Sequence, residues 1–235
     1  MSDAIVILIY SSMAGLPVII GGLISYAVQA KKLKIKDELN HWIIAFGGGA
    51  LLSAISFALI PQAVSDLNYI ELILIFLGGT FSFMIIDIII SKSKGSIAQV
   101  MSMMMDFIPE ALALGASFAH SHNFGLLLAI FIGLQNLPEG FNSYIELKNK
   151  MSGRSTLLLM LCLSFTGIAA AFLGKFFLAD NPKLIDTILL YAGGGILYLI
   201  FQDIAPLSKK RNDWIPATGA SFGFLLGMIG EKLLG

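Results

Sequence analysis

Two short stretches hold the groups best suited to chemistry: Asp106-Phe107-Ile108-Pro109-Glu110-Ala111 and Gln135-Asn136-Leu137-Pro138-Glu139-Gly140. Each places a polar side chain four residues before a glutamate and a proline directly ahead of it, near the middle of a long apolar run. On a helix, residues four apart project from one face about one turn apart. Proline has no amide hydrogen, so the carbonyls of Met105 and Leu134 lose their helical donors. A carboxylate at hydrocarbon depth is costly unless it is paired, hydrated or bound to a cation. No lysine or arginine stands at this depth, and close like charges repel unless a cation joins them. A divalent metal ion is the natural counter-charge. An oxygen shell from Asp106, Glu110, Gln135 and Glu139, with Asn136 as an extra oxygen, suits ions from magnesium, calcium and manganese to iron and zinc.

The elements that must position these groups follow from composition. Of 235 residues, 57% are hydrophobic and 13% charged, and the mean hydropathy is +0.85, far from the make-up of a soluble domain. The formal net charge is zero, which gives no reason to expect a nucleic-acid or acidic partner. A single cysteine, Cys162, supports neither a disulfide framework nor a thiolate metal cluster. The first apolar run, about 4–30, lacks a basic leading region and is long enough to span, so it reads as a membrane helix rather than a cleavable signal peptide.

Runs of about 20 residues or more, enough to cross the hydrocarbon, occur near 4–29, 42–64, 69–91, 98–119, 124–147, 155–178, 187–207 and 213–234. They predict an all-α, polytopic membrane bundle of eight transmembrane helices in one domain, 1–235, since the links are short. Twelve of the 15 lysines and arginines fall in the first, third, fifth and seventh links. By the bias of positive charge toward the cytoplasm, those links lie inside and both termini outside. Pro109 and Pro138 then sit near the midpoints of the fourth and fifth helices. Phe46-Gly47-Gly48-Gly49 leading to Pro61 is echoed by Ala192-Gly193-Gly194-Gly195 leading to Pro206, on helices that cross in opposite directions. Such an inverted pseudo-repeat marks secondary transporters, although glycines also recur wherever membrane helices pack closely.

On the fourth helix Gln99, Ser102, Met103, Asp106, Glu110, Ala113 and Ser117 share one narrow, polar or small stripe. On the fifth, the stripe through Gln135 and Glu139 continues as Asn142 and Glu146 toward the inside, and as Leu128, Phe131 and Ile132 toward the outside. The inner half reads as wettable and the outer half as dry. His120 and His122 fall in the outer link, where metal capture and a plain surface role both stay open. His41 reads as interfacial, and Met101, Met103, Met104 and Met105 as gap-filling packing. Asp87 and Asp203, toward the ends of their helices, can reach the cytoplasmic interface or capping groups, with Gln202 expected to line the path beside Asp203.

The two Pro-Glu motifs, on the fourth and fifth of eight helices with both termini outside, resemble the ZIP (Zrt/Irt-like protein) family. Its motifs usually read His-Asn-x-Pro-Glu-Gly, with the histidine and glutamate binding metal. The resemblance extends to Ser164, Thr166 and Gly174 on the sixth helix and covers essentially the whole chain. It departs where Asp106 and Gln135 replace the histidines, Phe107 an asparagine, Ala111 a glycine, and Gly167 what is commonly a glutamate, a candidate second-site ligand. The short link after the third helix lacks the histidine-rich stretch common in the family, so metal sensing through that loop is not expected.

What the resemblance implies is a plasma-membrane secondary transporter or facilitator moving a divalent transition metal, such as zinc, iron or manganese, toward the cytoplasm. The metal is cargo, no prosthetic group is expected, and the partners are the metal ion and the lipid bilayer, with a homodimer left open. The runner-up is a metal-binding or sensing membrane protein of the same fold that does not transport. An enzyme is not expected, because an intramembrane hydrolase would need a nucleophile and base pattern such as Gly-x-Gly-Asp or His-Glu-x-x-His.

Overall fold

The computed structural model of the chain describes residues 3–31, 37–92, 96–117, 122–178 and 180–234; side chains at 3, 62, 96–99, 102, 106 and 122 lie outside that description. All regular structure among the described residues is helical. In chain order it comprises α1 (Asp3–Ala30), α2 (Asp37–Ala54), a π-helical turn (Ile55–Leu59), α3 (Ile60–Asp66), α4 (Tyr69–Ser91) and α5 (Ser96–Ser117). Then follow α6 (His122–Lys148), α7 (Gly153–Leu178), α8 (Pro182–Leu199), a second π-helical turn (Ile200–Ile204), α9 (Ala205–Ser208) and α10 (Ile215–Leu234). Six stretches among the described residues are long and apolar enough to cross a membrane: Ala4–Ala30, Asp37–Asp66, Tyr69–Ser91, Asn123–Lys148, Gly153–Leu178 and Pro182–Ser208. The chain is thus an integral, multi-pass helical bundle. The fourth and eighth predicted spans form as α5 and α10 but fall outside these six. Their sequences explain why, since α5 carries Gln99, Ser102, Asp106 and Glu110, and α10 is glycine-rich and carries Glu231 and Lys232 near its end.

Two rods begin about a turn earlier than the apolar pattern predicts. α2 starts at Asp37 with Asp37 and Glu38 in its first turn, where negative charge suits the positive end of the helix dipole. α8 starts at Pro182, whose fixed backbone and missing N–H fit a first helical position. Asn181 caps it, its side chain accepting from the Leu184 amide at 3.2 Å. Polar first turns carry no apolar signal, so hydropathy alone passes over them. α4 opens on a capping box in which Asn68 and Glu71 satisfy each other's backbone amides, and Lys183 bridges from the start of α8 to Glu71 at 2.5 Å. Lys210 pairs with Asp37 at 3.2 Å. Desolvation opposes its charge, but the Asp37 hydrogen bond and the Asp37, Glu38 and Asp213 charges prevail and raise its pKa.

Packing falls into pairs: α1 lies along α6 and α5 along α7, while α2 lies along α10 and α4 along α8. α1 also meets α7, α5 meets α6, and the two groups join where α2 touches α6 and α5 touches α8. Exchanging α1 with α7, α2 with α8, α4 with α10 and α5 with α6 maps these pairings onto themselves. Glycines let the paired backbones approach. A Cβ at Gly140 would lie 2.2 Å from the Val18 carbonyl oxygen, and one at Gly174 would lie 2.0 Å from that of Leu112. The glycine echo has a structural counterpart in the same exchange. Each triplet is followed by a π-turn in which an amide reaches back five residues, Ile60 to Ile55 and Ala205 to Ile200. Pro61 and Pro206 follow directly, and the wider turn accommodates a ring that would otherwise crowd the carbonyl four residues back.

Candidate metal centre

Both α5 and α6 run through their internal prolines, Pro109 and Pro138, so the residues flanking each proline stay on one helical face. Where the two helices meet, the Gln135 Nε2 donates to Glu110 Oε2 at 2.5 Å. Both side chains are buried, Glu110 at 1% and Gln135 at 2% exposure. A carboxylate accepts and does not donate, which fixes the amide nitrogen as the end facing Glu110. The Gln135 Oε1 is buried with no hydrogen-bond partner among the described residues. Next in sequence, Asn136 is equally buried, and its Nδ2 donates to the Ala14 carbonyl of α1 at 2.8 Å. The amide nitrogen of Asn136 is therefore committed to tying α6 to α1, which leaves only its oxygen for a ligand.

Glu139, one turn beyond Gln135, is half-buried and stands between two spaces. One is a small void it shares with Asn136, Val18, Met103, Met104, Phe107 and Leu163. The other is a cavity of about 560 Å³ whose wall includes Gln135, Glu139, Asn142 and Glu146 of α6, facing α2, α4 and the second π-turn. Asp106 lies one turn before Glu110 on α5, and its side chain falls outside the described residues. Among the described residues, no three His, Cys, Asp or Glu side chains converge as a metal cluster. The described portion of the expected site is two carboxylates, Glu110 and Glu139, and two amides, Gln135 and Asn136.

The cavity is polar along α6 and ends near Ser91, Lys150 and Leu207, beside the links that follow α4, α6 and α9. Those are the lysine-rich links. In the opposite direction Leu128, Phe131 and Ile132 are each 0% exposed and belong to the main apolar core. The cavity wall also holds residues to which the sequence reading gave no part in the site: Asn40, His41 and Asp87. Asp87 accepts from the Tyr198 hydroxyl at 2.9 Å, and the His41 Nδ1 lies 2.8 Å from the Asp37 carbonyl. A signal for Asp87 existed, because it continues the inward stripe of Gly79, Phe83 and Ile90, all buried. Asp203, read like Asp87 only as reaching the cytoplasmic interface or capping groups, also lines the cavity. Gln202, expected beside it, is exposed and absent from the wall, since adjacent helical residues point about 100° apart.

Other candidates resolve more simply. Met103 is 5% exposed in an apolar cluster with Met160 and Leu163, as gap-filling predicts. His120 lies outside the described residues, and His122 opens α6 without a described side chain. Ser164 and Thr166 hydrogen-bond back to carbonyls of their own helix, on Met160 and Leu163. Phe107 is 4% exposed, and a Cβ at Gly167 would fall 2.1 Å from its Cζ. The ring therefore fills the space that a side chain at 167 would need.

No protein-family profile matches the chain. Over 149 residues it is 31% identical to the zinc transporter GufA of Myxococcus xanthus, a match that takes in 62% of this chain and 58% of that protein. The chain thus spans a little over half the length of the curated relative it matches.

Proposed function

We propose that this chain is a ZIP-like secondary transporter or facilitator that carries a divalent transition-metal cation, such as zinc, iron or manganese, toward the cytoplasm. In this reading it crosses the plasma membrane eight times as one domain, with both termini outside, and is not an enzyme. The cargo site comprises Asp106, Glu110, Gln135 and Glu139, with the Asn136 oxygen as a further donor. The observation that carries the reading is the buried Glu110–Gln135 bridge between α5 and α6 at the head of a cavity that Gln135 shares with Glu139. Buried acids of this kind in membrane helices mark ion pathways, and the relative named as a zinc transporter supports the same class of cargo.

The carboxylates of Glu110 and Glu139 supply the charge, and the amide oxygens add neutral donors. Carriage then requires α1, α5, α6 and α7, which pack mainly on one another, to shift as a group against α2, α4, α8 and α10. The test is uptake of zinc and manganese into proteoliposomes. Glu110→Ala or Glu139→Ala is expected to abolish saturable uptake while the protein still elutes as a single folded species. Unchanged uptake in both single variants would falsify the assignment. Metal binding without flux in the parent protein would instead favour a sensor of the same fold.

A further inference from the structure

The amide of Gln135 faces its carboxylate neighbour with the wrong atom for metal binding, and this bears on how the acid is held between ions. Its Nε2 donates to Glu110 Oε2 at 2.5 Å, whereas its Oε1, the only atom of the side chain that can ligate a cation, has no hydrogen-bond partner among the described residues. The side chain is 2% exposed and forms part of the cavity wall. We propose that Gln135 substitutes for the cation in the empty carrier: its amide nitrogen holds Glu110 while no metal is present, and an arriving ion displaces that nitrogen and takes the amide oxygen. This rests on the reading of Glu110, Gln135 and Glu139 as the cargo site.

Two consequences follow from the chemistry of an amide. Binding must break a charge-assisted hydrogen bond, so affinity is held below what the carboxylates alone would give. The amide keeps a donor against one oxygen of the buried acid, which lowers the cost of carrying that carboxylate through the membrane between ions. A glutamate at this position supplies oxygen but no donor, and a methionine supplies neither.

The experiment compares the parent chain with Gln135→Glu and Gln135→Met, each checked for monodisperse elution. It measures equilibrium binding of zinc and manganese, net uptake into empty proteoliposomes, and exchange of labelled zinc into zinc-loaded ones. Net uptake needs the empty site to return; exchange does not. Gln135→Glu is expected to bind about tenfold more tightly, on the scale of one added favourable charge interaction, to retain exchange and to lose most net uptake. Gln135→Met is expected to bind more weakly and to lose both fluxes. Loss of exchange and net uptake in equal proportion in Gln135→Glu, or equal affinities in all three proteins, overturns the proposal. If the parent binds metal but shows no flux, the transport reading fails, and the affinity order glutamate, glutamine, methionine still decides the amide's role.

Discussion

In the proposed site Asp106 and Gln135 make the donor set all oxygen, and donor type governs which ion is held. Nitrogen suits zinc better than it suits manganese. Replacing Asp106 and Gln135 together by histidine is therefore expected to raise the ratio of zinc to manganese uptake in a competition assay, and an unchanged ratio would count against these residues touching the ion. Phe107 and Gly167 pack against each other beside the proposed site. With the Phe107 Cζ 2.1 Å from where a Cβ on residue 167 would sit, Gly167→Glu by itself is expected to misfold or elute poorly. Combined with Phe107→Asn, which removes the ring, it is expected to restore yield and raise bound metal from one ion per chain to two by elemental analysis. The acids were legible in the sequence because a carboxylate beside a proline in an apolar run has few structural reasons to exist. Which atom of Gln135 meets Glu110, and the tie from Asn136 to Ala14, were not. Both depend on the relative rotation of helices, which is fixed by packing between residues up to 122 positions apart.

The helices themselves were legible almost throughout, since an apolar run of bilayer length has no other stable backbone state in lipid. What hydropathy could not register were polar first turns, as at Asp37 to His41, and the two π-turns, where a proline changes backbone geometry without changing polarity. Close crossings set the rest of the element-scale architecture. A Cβ at Gly174 would lie 2.0 Å from a carbonyl oxygen of α5, whereas one at Gly78 would meet nothing within 4 Å. Gly174→Ala is accordingly expected to destabilise the fold by about 1–3 kcal/mol, the range for overpacking a filled core, seen as a lower thermal midpoint in detergent. Gly78→Ala relieves backbone freedom without a clash and is expected to leave the midpoint unchanged or raise it slightly. Equal effects of the two substitutions would remove the α5–α7 crossing as the reason for glycine at 174.

At the scale of the whole molecule, the two ends of the bundle differ in what they let water reach. From Glu139 toward the lysine-rich links, α6 presents Asn142 and Glu146 to a cavity of about 560 Å³. From Gln135 the other way it presents Leu128, Phe131 and Ile132, all sealed from solvent. Polar walls keep a passage hydrated, while bulky apolar side chains make a constriction that stays dry until helices move. If the lysine-rich links face the cytoplasm, this conformation opens to the inside, and the protein without metal is expected to rest there. Cysteines at Phe131 and Asn142, in a Cys162→Ser background because Cys162 is itself exposed, report this directly. A membrane-impermeant thiol reagent applied from the cytoplasmic side is expected to label Asn142→Cys quickly, and Phe131→Cys is expected to resist labelling from either side. Saturating metal should then slow labelling at 142 if the loaded site moves outward with α6. Labelling of position 131 from outside, with 142 protected, would instead mean that the resting carrier faces the exterior and that the cavity closes before metal is released.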